Sequence, residues 1–398
     1  MSDELLQFLL FVVAVAAGWL AGYCYRPWFE KKDTDTSSSY YKGLNYLLSE
    51  QPDAAVMTVI NDLPVNIETL PTHLALGNLL RSKGEVDGAI RVHQNLLSRP
   101  SLPREKLHQV HLELARDYIS AGVLDRAERL LKDVVDESEV FRADALEHLQ
   151  HIYQTEREWD HAIAVALRRL PPRSWLKKAP VAGPVDRRVE RALSHFYCEK
   201  AQLLLAEHNY KEAIVALQSA RQFDRDNVRA YMLSANIALK QNKPELALDL
   251  LYTAIDRQAA FSSEMLPVFR EAFARFGGRD AYLDALLGIA KNTESSAFII
   301  EAAELMAAKD DSELTLQYLL DAARQRPTLG LLAKVLEQPG AGNGQTLELV
   351  QGVLLKLRAE RPAYRCRQCG FSGQKLHWLC PSCEQWGTIT PIRGTQGD

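Results

Sequence analysis

The chain has 398 residues, too many for one ordinary hydrophobic core and suited to two or three domains or to an elongated repeat array. Hydrophobic residues make up 47% and charged residues 25%, which excludes an intrinsically disordered chain. A net charge of −4 over this length excludes a protein that coats nucleic acid, whose footprint would be strongly basic.

The first element is apolar. Leu5 to Tyr25 carries no charge, and Gln7 is its only strongly polar side chain. About twenty residues at ~1.5 Å rise cross a hydrocarbon layer of ~30 Å. Trp19, Tyr23, Tyr25 and Trp28 fall where such a helix meets the headgroups. Asp3 and Glu4 precede it, while Arg26, Lys31 and Lys32 follow, so the charge bias predicts that the remaining chain is cytoplasmic. The acidic start argues against a cleaved signal peptide, and Tyr23 before Cys24 argues against a lipoprotein signal. Residues 1–28 are therefore expected to be a single-pass transmembrane anchor, and residues 29–39 a polar tether.

From Tyr40 to residue 360 the sequence recurs with a period of about thirty-four residues, the tetratricopeptide pattern of paired helices. In the clearest copy, Thr72–Leu97, Leu76, Gly77 and Leu80 share one helix face, Gly84 makes the turn, and Ala89 starts the buried stripe of the second helix. Two helices approach closely only where a small residue replaces a bulky one, and the turn glycine takes a φ that other residues resist. Leu114, Ala115, Tyr118, Gly122 and Ala127 repeat the pattern, followed by Leu149, Tyr153, Trp159 and Ala162. Ala201, Leu204 and Ala213 mark a further copy, then Ala235, Ala238 and Ala247; Ala55 marks the first. Degraded copies are expected near Phe269–Leu287 and Ala303–Ala323, with a closing helix at Thr346–Arg358. The predicted fold class is thus all-α, a helical-repeat solenoid, with three or more copies to bury a continuous stack.

Residues 171–188 interrupt the period. Pro171, Pro172, Pro180 and Pro184 cannot continue a helix, and Arg173, Lys177, Lys178, Arg187 and Arg188 make the stretch basic. It reads as a solvated insertion between hairpins, or more sharply as a basic loop for anionic headgroups or an acidic partner.

Residues 361–398 form a different module. Cys366 and Cys369 make one Cys-x-x-Cys pair and Cys380 and Cys383 another, with ten residues between them. Two intervening residues let both sulfurs of a pair reach one ion at ~2.3 Å, and two pairs complete a closed tetrahedron with no open position for water. The site is expected to hold one structural metal ion, zinc favoured and iron the alternative. Gly370 supplies an unhindered turn and Pro381 a stiff one; Tyr364, Phe371, Trp378 and Trp386 are expected to form the small core of the module.

No catalytic chemistry is legible. The chain has no phosphate-binding loop, no His-Glu-x-x-His pair and no Gly-x-Ser-x-Gly elbow. Gly340, Gly342 and Gly344 have no preceding strand and read as a turn. His108 with His111, and His148 with His151, share helix faces without a further ligand, and Cys198 reads as a small buried side chain. A binding protein with a long groove, not an enzyme, is the expectation.

The order of parts resembles the lipopolysaccharide assembly protein B family, membrane-anchored tetratricopeptide proteins with a rubredoxin-like C-terminal zinc ribbon. The resemblance rests on LALGNLLRSKGEVDGAIRVHQ at 74–94, ARDYISAGVLDRAE at 115–128, HFYCE at 195–199, the two cysteine knuckles and the ending TPIRG at 390–394. It implies an inner-membrane adaptor that promotes degradation of the lipid A pathway deacetylase by the membrane-bound AAA+ metalloprotease. It also implies an inner-membrane lipopolysaccharide-sensing protein as antagonist and links to lipopolysaccharide export proteins; a homodimer is compatible with it. The alternative it leaves open is a structural platform joining synthesis to export without control of proteolysis. The family's metal ligands correspond to Cys366, Cys369, Cys380 and Cys383.

Overall fold

A computed structural model of the chain describes residues 12–17, 19, 65–98, 102–171, 184–293, 295–308, 312–338 and 345–393. The expected membrane span lies almost wholly outside them, as do the tether and the hairpin around Ala55; residues 12–17 and 19 are helical. Among the described residues no helix is long and apolar enough to cross a membrane. By internal contacts the chain divides into two units, Met1–Glu156 and Arg157–Asp398.

In the first unit, α1 (Leu70–Ser82) and α2 (Val86–Leu97) form one hairpin, α3 (Arg104–Ser120) and α4 (Leu124–Glu137) a second, and α5 (Arg142–Glu156) packs on α4. The turns close as the sequence predicts. Gly84 and Gly122 sit at φ +87° and +73°, where a side chain would be strained. Glu85 N–H reaches back to Leu80 O and Val123 N–H to Tyr118 O, at 2.9 Å each, satisfying carbonyls that the helix end leaves open. Ala89, Ala115 and Ala127 are fully buried. Gly77 lies so close to His93 that an added Cβ would stand 2.4 Å from Nε2.

A charged chain runs through this unit that periodicity gives no hint of. His93 Nδ1 lies 2.5 Å from Asp117 Oδ2, both side chains fully buried, and Arg81 donates to the other Asp117 oxygen at 2.7 Å. Arg81 also meets Glu113 at 2.8 Å, Glu113 meets Arg116 at 2.6 Å, and Arg116 Nε donates to His148 at 2.9 Å. α1, α2, α3 and α5 are thereby joined by polar pairs that fix their register.

The second unit begins at α6 (Trp159–Arg169). It continues with the hairpins α7 (Pro184–Ala206) and α8 (Tyr210–Phe223), then α9 (Val228–Lys240) and α10 (Pro244–Arg257). A 3-10 turn at Ala259–Phe261 leads to α11 (Ser262–Phe276) and α12 (Gly278–Asn292), then α13 (Ser296–Ala307) and α14 (Ser312–Gln325). α15 (Leu329–Leu336) and α16 (Gln345–Glu360) close the helical part. First helices stack on first helices, α7 on α9, α9 on α11, α11 on α13 and α13 on α15, the layer that lines the groove in this architecture. One core cluster runs from α9 to α15, with Phe269 and Phe298 edge to face at 6.1 Å, and a second joins α7, α8 and α9 around Ala201, Leu217 and Ile237; full burial of a side chain such as Phe269 contributes about 1.5–3 kcal/mol.

One expectation needs correction. The insertion was expected to reach residue 188, but α7 starts at Pro184, so 184–188 are helical. Proline suits a first helical position, and the stripe Val189, Leu193, Phe196 continues from there. Residues 172–183 lie outside the described part. Other hairpin turns close without glycine: Arg157, His208 and Asn242 take φ values of +60°, +59° and +57°. Between the copies that periodicity marked lies the short helix α15, capped where Leu331 N–H donates to Thr328 Oγ1 at 3.2 Å.

Candidate metal centre and its seat on the repeats

After α16 the chain turns at Arg361–Ala363 and forms β1 (Tyr364–Cys366), β2 (Ser372–Gly373) and β3 (Ile389–Pro391). They make an antiparallel sheet in the order β2-β1-β3, with Arg365 opposite both Ser372 and Thr390. Strands this short cannot hold a fold alone. The two cysteine knuckles supply the rest, and they are built alike. In one, Gly370 N–H donates to Cys366 O at 3.1 Å and Cys366 N–H to Phe371 O at 2.7 Å. In the other, Glu384 N–H donates to Cys380 O at 2.9 Å and Cys380 N–H to Gln385 O at 3.1 Å. The residue after the second cysteine is left-handed in both, Gly370 at φ +80° and Glu384 at +53°.

These turns bring the four predicted ligands together. All four sulfurs lie within 4.8 Å of one another, Cys369 to Cys380 at 3.7 Å and Cys366 to Cys383 at 3.8 Å. A tetrahedron of sulfurs at ~2.3 Å from a central ion has edges of about 3.8 Å, so the donor set fits one tetrathiolate metal. Gln368 N–H donates to Cys366 Sγ at 3.3 Å, and Thr388 Oγ1 lies 3.3 Å from the same sulfur. Burial works against ionising Cys366, but Thr388 and the N–H groups of Cys369 and Gln368 outweigh it and bring its thiol down to about 6. The Phe371 N–H lowers Cys369 as well, whereas burial pushes Cys383 up to about 12. Four sulfurs in one place ionise together only around a cation, which is what such a site offers a metal.

The module is seated on the repeats of its own unit. Trp386 stacks on His195 of α7 at 5.0 Å and meets Phe196 edge-on at 5.9 Å, while Trp378 stacks on Phe261 at 5.7 Å and lies 5.9 Å from His195. Tyr364 donates its hydroxyl proton to Glu264 at 2.5 Å, and Arg393 donates to the Ala259 carbonyl. Gly387, at φ +62°, presses against α7, since an added Cβ would stand 3.0 Å from Arg191 Cδ and 3.2 Å from His195 Nε2. Burial holds His195 well below the ordinary histidine value, and Arg229 and Arg191 act in the same direction, so a neutral ring lies beneath the indoles.

This corrects the expected core of the module. Its interior is Cys366, Cys380 and Ile389 with Tyr364, Phe371, Leu376 and Cys383 around them, whereas Trp378 and Trp386 face the repeats. The seat residues His195, Phe261, Glu264 and Arg393 were not legible as functional. The available signal was a surplus, two tryptophans in a segment too small to enclose them.

The remaining candidates are accounted for locally. His108 faces Glu137 at 3.2 Å and His148 accepts from Arg116, so neither histidine pair forms a ligand set. Cys198 is fully buried, 3.6 Å from Asn227 Nδ2, and burial pushes its thiol up to about 12.

Comparison with known proteins finds both kinds of module. A family model described as a rubredoxin metal binding domain matches residues 364–391, and tetratricopeptide repeat models match residues 72–107 and 204–265. Lipopolysaccharide assembly protein B of Escherichia coli (strain K12) is 33% identical over 402 residues, covering 98% of this chain and 99% of that one. The protein of the same name from Haemophilus influenzae is 30% identical over 406 residues, covering 97% and 98%. Among solved structures, a MamA protein is 19% identical at a TM-score of 0.33, covering 49% of this chain and 94% of its own. YrrB, titled a TPR protein with an unusual peptide-binding site, is 15% identical at 0.31, covering 49% and 89%.

Proposed function

The chain belongs to the lipopolysaccharide assembly protein B family, and on that footing we propose that it is a non-catalytic adaptor at the cytoplasmic face of the inner membrane. In this reading it regulates lipopolysaccharide synthesis by presenting the lipid A pathway deacetylase to the membrane-bound AAA+ metalloprotease. The carrying observation is the likeness over nearly the whole chain, repeats and ribbon together, to proteins named for lipopolysaccharide assembly. The physical logic is local concentration: an anchored stack of repeats that holds one protein beside another turns a bimolecular encounter into an intramolecular one. An inner-membrane lipopolysaccharide-sensing protein would act by competing for the same surfaces.

Cys366, Cys369, Cys380 and Cys383 would hold one structural ion, zinc before iron, since the site offers four thiolates and no open position. When bound, the ion cross-links the two knuckles and supplies no reactive ligand. The chain's own residues do the rest: Trp378, Trp386, Tyr364 and Arg393 carry the ribbon onto α7 and α11, so tail and second unit act as one body.

The test is the lifetime of the deacetylase in cells depleted of this protein. A longer half-life is expected; an unchanged one removes the proteolytic reading. The second reading, an assembly platform, is favoured by the relatives' names. It requires constant deacetylase and loss of export proteins from complexes that otherwise copurify with this chain.

A further inference from the structure

The four cysteine residues are not equally covered. Cys366 and Cys380 are buried, Cys383 is half-buried, and Cys369 is exposed. The sulfur of the exposed residue, Cys369, has Cys380 Sγ beside it at 3.7 Å. Cys380 in turn lies in the stretch that shapes the seat: Leu379 bridges to Trp386, and Gly387 N–H donates to Trp378 O at 2.7 Å, so both tryptophans hang from the second knuckle. Beneath them His195, Phe196 and Phe261 are at most 4% exposed.

We propose that the ribbon is an oxidation-sensitive latch: peroxide reacting at Cys369 expels the metal, unseats the ribbon and uncovers the apolar surface at His195, Phe196 and Phe261. The proposal rests on the metal site argued above. The chemistry balances with hydrogen peroxide as oxidant. The Cys369 thiolate attacks one peroxide oxygen, the O–O bond breaks, and hydroxide leaves with a sulfenic acid formed on Cys369. The Cys380 thiolate then attacks that sulfur, an S–S bond forms, and a second hydroxide leaves; solvent protons convert both to water. Two electrons pass from two sulfurs to one peroxide. A disulfide needs its sulfurs about 2.05 Å apart, so the pair must close from 3.7 Å and leave the tetrahedron. Two thiolates remain, and a closed four-sulfur site no longer exists to retain the ion. A module of three short strands whose folding depends on that ion then loses the frame that holds Trp378 and Trp386 in place.

The experiment uses the full chain. Metal content is measured first, then hydrogen peroxide is titrated while released metal is read with a chromogenic chelator. Disulfides are mapped by mass spectrometry, and amide exchange is followed at 190–197 on α7. The expected result is about one equivalent of metal released with Cys369 in a bridge. Exchange at 190–197 should rise about tenfold or more, the equivalent of 1.4 kcal/mol of lost protection, while 104–120 on α3 is unchanged. Thiol reductant with added zinc should reverse both. Protein that carries no metal at the outset overturns the metal site and the latch with it. Metal retained through oxidation, a bridge that leaves Cys369 out, or unchanged exchange after metal loss overturns the latch alone. The Trp386→Ala variant keeps all four sulfurs, so it should retain its metal and show raised exchange at 190–197 without oxidant. Unchanged protection in that variant would show that the ribbon does not cover α7.

Discussion

Gly77→Ala offers a sharp test of how the first unit is packed, because two effects of opposite sign meet at one atom. In an ordinary helix interior the change stabilises by about 1 kcal/mol, since glycine loses more backbone freedom on folding. Here the new methyl would stand 2.4 Å from His93 Nε2 and 2.5 Å from Cε1. The ring cannot retreat: Asp117 holds its Nδ1 at 2.5 Å, and Arg81 holds Asp117 in turn at 2.7 Å. Overpacking a site of this kind costs about 1–3 kcal/mol, and pulling the imidazole off a buried carboxylate adds to that. The expected balance is a loss of about 2 kcal/mol, or about 4–8 °C in Tm for a body of this size. The assay is a thermal melt by far-ultraviolet circular dichroism, with amide exchange on α3 to locate the loss. In a His93→Ala background the clash is gone, so the same glycine change should be neutral or stabilising by up to about 1 kcal/mol. A Gly77→Ala protein as stable as its parent would refute the close approach of α1 and α2.

Stability should fall on mild acidification. His195 is kept neutral by burial and then by Arg229 and Arg191, so below about pH 6.5 the unfolded chain binds a proton that the folded protein refuses. That contribution is whole above the unfolded value and declines as pH drops, by up to about 1.4 kcal/mol per pH unit. Burial lowers His148 and His111 too, adding in the same direction. Denaturant unfolding across this range should show the slope, and His195→Gln should flatten it. Cys198, whose thiol burial raises to about 12, should resist alkylation in native protein, while Cys369 is modified once the metal is stripped; peptide mapping separates the two. Gly387→Val combines a side chain at φ +62° with a collision against Arg191 and His195, so the ribbon should lift from α7 and become protease-sensitive while metal content stays at one ion. Loss of metal in that variant would mean that the seat and the site are not separable.

The sequence alone determined the helical hairpins and the four-cysteine cluster. Gly77, Gly84, Ala89, Ala127, Ala213 and Ala247 reveal hairpins because helix contact and turn closure act between neighbours in the chain, leaving a size pattern at fixed spacing. Cys366, Cys369, Cys380 and Cys383 are legible for the same reason, since each knuckle is a local turn. Only the tertiary structure decided where the ribbon sits and which charges are buried. Tyr364 meets Glu264 one hundred residues away, and His93 meets Asp117 across two helices, pairings set by how successive hairpins rotate as they stack. No short pattern encodes that accumulated rotation. The same two tryptophans would have served a self-contained core, and the packing of the ribbon on the repeats gave them His195 and Phe261 instead.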